Sequence, residues 1–212
     1  MYSVCFAPHE TLADRLLKYL PEADGSHDVS HLIRVWKNAS IVRAEEGGDE
    51  LILLASVLLH DCVAVEKDPP LRSKASRLAA NRACVILSEL GWAQEPIIKV
   101  EHSIVAHSFS AGIKPESLEA KILQDADRLD AIGMVGVARC FYVAGTRKER
   151  LYDPMDPEAK GRKLNDSSYA LDHFQSKLFK LASRFQTATG RRLASERHER
   201  LEHFFEEFLG EI

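Results

Sequence analysis

The chain has 212 residues, 45% hydrophobic and 28% charged, the balance of one sizeable domain with a full core. A net charge of −4, from 28 basic and 32 acidic residues, leaves no case for nucleic-acid or membrane binding through bulk positive charge. The four cysteines (Cys5, Cys62, Cys84, Cys140) are scattered and form no C-x-x-C pair, which argues against a zinc knuckle or a disulfide framework.

The N-terminal stretch MYSVCFAPHE lacks a basic region followed by an apolar core, so no signal peptide is expected. No apolar run reaches the length of a membrane span, and the expected location is the cytoplasm. TLADRLLKYL sets Leu12, Leu16, Leu17 and Leu20 at helical spacing and stops at Pro21. HDVSHLIRVWKNASIVRAEEGG repeats the pattern through Leu32, Val35, Trp36, Ala39 and Val42 and ends at Gly47–Gly48. Residues 49–62 are apolar nearly all round, which predicts a helix buried mid-domain. SKASRLAANRACVILSELGW predicts a further helix closed by Gly91, with Leu78, Ala79, Val85, Ile86 and Leu90 available to the core.

IIKVEHSIVAHSFS follows Pro96, and another helix is predicted from about Pro115 through the 130s. GTRKERLYDPMDPEAKGRKLND (145–166) carries two prolines, two glycines and many charges, and reads as a long loop. Its Arg147, Lys148, Arg150, Arg162 and Lys163 are placed to meet an anionic ligand, or to form a solvated surface excursion. SSYALDHFQSKLFKLASRF, where His173 reads as structural, and ERHERLEHFFEEFL complete the helices. In the last, Leu201, Phe204, Phe205, Phe208 and Leu209 make an apolar stripe suited to core or dimer packing. Nothing alternates like a strand, so the expected fold is all-α, a single-domain helical bundle over residues 1–212.

Three pieces of this pattern put polar side chains where core is expected. DVSHLIRV places His31 in an amphipathic helix, LLHD ends an apolar run on His60 and Asp61, and LQDADRLDAIG sets Asp127 among Leu123, Ala126, Leu129 and Ile132. Burying an ionised carboxylate is costly unless a metal or a partner compensates it. Two imidazoles and two carboxylates suit Mn²⁺, Fe²⁺, Ni²⁺ or Mg²⁺, and the absence of thiolates points to a catalytic rather than a structural site. Taken singly, each histidine reads more often as a satisfied core residue than as a ligand, and Asp127 as a partner of Arg128 or of a helix N-terminus elsewhere.

The order H…HD…D resembles the HD-domain superfamily of metal-dependent phosphohydrolases. SHDVSHLIRVW, LLHD, AHSFSA, QDADRLDAIGMVGVAR and YALDHFQSKLFKL are similar to the bacterial YedJ-type HD hydrolases from about His27 onwards. The resemblance implies an all-helical fold with a metal-binding core at about 27–132 and C-terminal helices at about 165–212 packed on it. It implies one divalent metal, Mn²⁺ favoured, on His31, His60, Asp61 and Asp127, and hydrolysis of phosphate esters or anhydrides.

Beyond the ligands, Lys67 follows the HD pair at a distance similar to that of a lysine in several HD subfamilies, where it would neutralise phosphate charge. Glu66 departs from the H-D-x-x-E spacing of HD nucleotidases that act on deoxynucleoside monophosphates. Arg72 and Arg77 are candidate phosphate contacts, or a solvated face. His102 and His107 are candidate hydrogen-bond donors to phosphate, or second-metal ligands, although five residues place them about 140° apart around a helix. Asp61 is expected to orient the attacking water as well as to bind metal. The resulting expectation is a phosphohydrolase, monomeric or homodimeric, cleaving a nucleoside or deoxynucleoside triphosphate to monophosphate and pyrophosphate. The alternatives are another HD phosphohydrolase activity, a dinuclear HD oxygenase, or a non-catalytic nucleotide-binding regulator.

Overall fold

The computed structural model describes residues 2–21, 28–63, 74–108 and 111–212. Among them the regular structure is helical throughout, and the one pairing of extended backbone is an isolated bridge between Arg150 and Tyr169. No single helix among the described residues is long and apolar enough to cross a membrane. The chain divides into two compact units, Met1–Asp127 and Arg128–Ile212.

The first unit contains α1 (Glu10–Leu16), α2 (Val29–Glu46), α3 (Glu50–Leu59), α4 (Ala75–Glu89), α5 (Gln94–His107) and most of α6 (Leu118–Asp130). Its centre is α3, where every residue from Ile52 to Leu59 is buried. Each Leu, Ile or Val buried there contributes about 1.5–3 kcal/mol relative to exposure. The one polar side chain in that run, Ser56, donates to the Ile52 carbonyl at 2.7 Å and so carries no unsatisfied group into the core. Asp49 starts the helix by accepting from the backbone N–H groups of Leu51 and Ile52 at 2.9 and 3.1 Å. Its own N–H donates to Glu119 of α6 at 2.9 Å.

Helix α2 starts at Asp28, whose carboxylate accepts from the His31 N–H at 3.1 Å and the Ser30 hydroxyl at 2.5 Å. Burial alone would raise the Asp28 carboxyl, but these hydrogen bonds outweigh it and hold it below the usual carboxylate range. The helix ends at Gly47, whose φ of 86° only glycine adopts without strain. Pro96 falls in the first turn of α5, where its missing N–H costs no hydrogen bond. On α4 the expected core positions Leu78 and Val85 are 42% and 47% exposed. Ala79 and Ile86 are buried as expected, and Ala80, Ala83 and Leu87 complete the inward face, where small side chains let α4 lie close against α5.

The second unit contains the end of α6 with α7 (Gly133–Thr146), α8 (Ala170–Ser176) and α9 (Ala188–Gly210). The continuous helix expected into the 130s is broken at Ala131–Ile132. Gly133 takes a φ of 71°, and a Cβ on Gly136 would stand 2.4 Å from the Ala131 carbonyl oxygen. Phe174 sits at the centre of this unit's core, with Phe141, Phe179, Phe204 and Phe205 around it at centroid distances of 5.7–6.1 Å. The C-terminal apolar stripe is thus core packing within this unit.

Segment 147–169 is organised around Arg162. Its guanidinium holds both oxygens of the fully buried Asp172 at 2.5 and 2.8 Å, Asp153 at 3.1 Å and the Asp156 carbonyl, over the Tyr169 ring. Arg162, expected in an anion-binding loop, is therefore committed to internal partners, and Arg147 pairs with Glu149 at 3.5 Å.

Two outcomes are expected. Arg162→Lys loses the bidentate fork, so the melting temperature should fall by several degrees while Mn²⁺ affinity stays constant; an unchanged melting curve would contradict this account. Asp28→Ala should cost about 1 kcal/mol in urea denaturation, and Asp28→Asn much less. Because the folded-state carboxyl is depressed, its contribution is complete above the unfolded-state value and disappears as pH falls through the folded value. A cap contribution that grew on acidification would contradict that sign.

Candidate metal centre

The site is assembled from two helix ends, the turn that follows one of them, and one helix interior. His31 is the third residue of α2, fixed by the Asp28 cap and 1% exposed. His60 follows the last residue of α3, and its Nδ1 donates to the Val57 carbonyl at 2.8 Å. In the neutral ring this puts a lone pair, the form that ligates a metal, on Nε2. The helix expected through residue 62 stops at Leu59, so Asp61 lies in a turn and brings its carboxylate back to 3.5 Å from the His60 Nε2. Asp127 projects from α6, among the fully buried Leu123, Ala126 and Leu129.

The donor atoms converge. His31 Nε2 lies 3.3 Å from His60 Nε2, 3.6 Å from Asp127 Oδ1 and 3.9 Å from Asp61 Oδ2. Ligand distances of about 2.0–2.3 Å place neighbouring donors on one ion roughly 3–4 Å apart, so the separations fit a single divalent cation. The donor set fits equally: two imidazole nitrogens and two carboxylates, with no thiolate, can hold a borderline or hard divalent ion. The histidines are sealed at 1% exposure, whereas the Asp61 and Asp127 side chains are 37% and 30% exposed. A cleft between Leu20, Pro21, Val29 and Leu32 opens onto His31 and Asp61.

Two buried amides brace this arrangement, and both were overlooked in the sequence. Asn38 of α2 donates to the Ala126 carbonyl at 3.0 Å, one residue before Asp127. Gln124 of α6 donates to the Ala106 carbonyl at 2.7 Å, one residue before His107. Their signal was available: each is an amide inside an otherwise apolar helical stripe.

The remaining candidates separate. His107, the last residue of α5, is buried with its ring 5.0 Å from that of His60, and donor atoms of His60, Asp61 and His107 lie within 4.8 Å of one another. Burial, then the neighbouring His60, pushes its imidazole below the usual histidine value. His102 is engaged elsewhere, its Nε2 accepting from the Glu116 N–H at 3.0 Å. Arg77 is exposed on the first turn of α4. Glu66, Lys67 and Arg72 lie outside the described residues. His173 is held by Asp166 at 3.1 Å. Burial pushes the Cys62 thiol, next to Asp61, up to about 11, so it is no thiolate nucleophile at neutral pH.

Asn38→Ala should cost about 1–3 kcal/mol in stability by removing a donor from a buried carbonyl. It should also weaken Mn²⁺ binding roughly 10- to 100-fold by loosening Asp127. Calorimetric titration of the metal-free protein measures the second effect; wild-type affinity in a destabilised variant would contradict the bracing role.

Residues 28–132 match the HD domain family model. The chain is 34% identical over 183 residues to the uncharacterized protein YpgQ of Bacillus subtilis, covering 84% of this chain and 81% of that one. The crystal structure of Bacillus subtilis YpgQ in complex with ADP superposes with a TM-score of 0.74 at 32% identity, over 94% of this chain and 97% of the other. An HD-superfamily hydrolase from Bacillus thuringiensis gives a TM-score of 0.70 at 31% identity, over 95% and 93% of the two chains. The chain therefore belongs to the HD-domain superfamily and carries the all-helical fold of its hydrolases.

Proposed function

We propose that this protein is a metal-dependent phosphohydrolase that cleaves a nucleoside or deoxynucleoside triphosphate to the monophosphate and pyrophosphate. The observation that carries the reading is the convergence of His31, His60, Asp61 and Asp127 on one point beside an open cleft. The nucleotide is supported by the ADP bound to the related YpgQ, and the triphosphate by the resemblance to YedJ-type hydrolases.

When bound, a divalent ion supplies Lewis acidity, lowering the pKa of its water and polarising a phosphoryl oxygen. The protein's part is positional. His31 and His60, sealed from solvent and held by the Asp28 cap and the Val57 carbonyl, form the rigid half of the ligand set. Asp61 and Asp127 form the half that faces solvent, and Asp61 also borders the cleft, so its carboxylate is placed to orient a water against an incoming phosphate. The water oxygen bonds to the α-phosphorus, the bridging oxygen leaves with pyrophosphate, and a water proton is released to solvent. Lys67 is the proposed cation that neutralises phosphate charge during this step.

The test is a product assay. The protein is stripped of metal, given Mn²⁺, Mg²⁺, Fe²⁺ or Ni²⁺ separately, and incubated with a nucleotide panel whose products are separated by chromatography. Metal-dependent monophosphate and pyrophosphate, absent in Asp61→Ala, are expected. Release of inorganic phosphate from a monophosphate, or opening of a cyclic nucleotide, would replace the substrate class. No turnover of any nucleotide by protein with metal firmly bound would overturn the nucleotide reading.

A further inference from the structure

The geometry points to His107 as the residue that positions the attacking water, through a hydrogen bond that its Nε2 accepts rather than donates. This rests on the hydrolytic reading above and adds to it a role for a residue outside the ligand set.

His60 and His107 both stand at the C-terminal end of a helix, and in both Nδ1 donates to the carbonyl three residues back, Val57 at 2.8 Å and Ile104 at 2.5 Å. A helix end offers carbonyls without intrahelical partners, and each ring satisfies one of them. The proton is thereby held on Nδ1, and Nε2 of the neutral ring carries a lone pair. Gln124 holds the neighbouring Ala106 carbonyl at 2.7 Å, so the His107 backbone is fixed as well. The ring meets His60 nearly at right angles (80°), on the side of the centre that Asp61 shares.

A bare Nε2 at that place restricts what His107 can do. A phosphate oxygen is itself an acceptor, so the direct phosphate contact expected from the sequence would set two lone pairs against each other. Among the described residues, a second metal ion would find too few ligands not already in the first donor set. His102 is spent on the Glu116 N–H, and His60 Nε2 already lies 3.3 Å from His31 Nε2 in the first donor set, which leaves His107 and Asp61. Water is the species that donates to Nε2 while turning a lone pair towards phosphorus. His107 therefore fixes the line of attack, and Asp61 holds the same water from the metal side.

The experiment compares wild type with His107→Gln, whose Oε1 can accept in place of Nε2, and His107→Leu, which cannot. Three quantities are read: the histidine ¹⁵N spectrum of the Mg²⁺-loaded wild type, Mn²⁺ affinity and stoichiometry, and kcat and KM. The expected spectrum has His107 protonated at Nδ1 and bare at Nε2. One equivalent of Mn²⁺ should bind all three proteins with affinities within about threefold, below the usual effect of removing a group that orients a ligand. In His107→Leu, kcat should fall roughly 100-fold at nearly constant KM, with part of the loss restored in His107→Gln. Proton on Nε2, a tenfold or larger loss of Mn²⁺ affinity, disappearance of a second equivalent, or a Gln variant no better than Leu would each overturn the inference. Failure of the nucleotide reading is distinguishable: wild type would then cleave none of the panel, while the spectrum, the Mn²⁺ titration and hydrolysis of bis(p-nitrophenyl) phosphate still judge His107.

Discussion

The hydrogen bond from His60 Nδ1 to the Val57 carbonyl is the contact on which the centre of the first unit depends. It satisfies a carbonyl at the end of a helix that has no solvent to turn to, since Val57, Leu58 and Leu59 are fully buried. It also settles the tautomer, so that the ring presents a lone pair rather than a proton to His31, Asp61 and Asp127. One bond thus closes the most apolar helix of the chain and opens its most polar site. The two polar residues beside LILLASVLL stand where the helix ends and the candidate ligand set begins.

The rest of the first unit keeps the other donors in register with His60. Asp28 sets the first turn of α2 and with it His31, and Asp49 links the start of α3 to Glu119 on the helix that carries Asp127. Asn38 and Gln124 then tie α6 to α2 and α5 at the backbone positions just before Asp127 and His107. The Asn38 and Gln124 bonds are buried in an apolar surrounding, where a missing partner carries the full desolvation cost of the group left behind. The same cost explains why the cluster suits a cation: it gathers two carboxylates around two imidazoles, one of which is fixed as an acceptor.

Much of this was legible in the sequence, and the limits have physical causes. Helical period located the helices, and the apolar setting of His31, His60 and Asp127 marked them as exceptions needing compensation. Period does not say where a helix stops, which is why His60 and Asp61 were expected within one helix and why the break before Gly133 was missed. That break is accompanied by a close backbone approach between Gly136 and the Ala131 carbonyl, invisible until the chain is folded. The core assignments of Leu78 and Val85 failed because hydrophobicity alone does not reveal that an alanine face allows closer helix packing. Arg162 reads as a loop cation until the burial of Asp172 is known. Asn38 and Gln124 could have been singled out by the reasoning applied to His31, but amides carry no charge to draw attention to them.

We infer that these four side chains share one divalent cation. Anomalous scattering from crystals grown with Mn²⁺ tests it most directly. The expected map has a strong peak about 2.0–2.3 Å from His31 Nε2, His60 Nε2 and one oxygen each of Asp61 and Asp127. A map with no peak among those atoms, or with the Mn²⁺ held elsewhere, would contradict it.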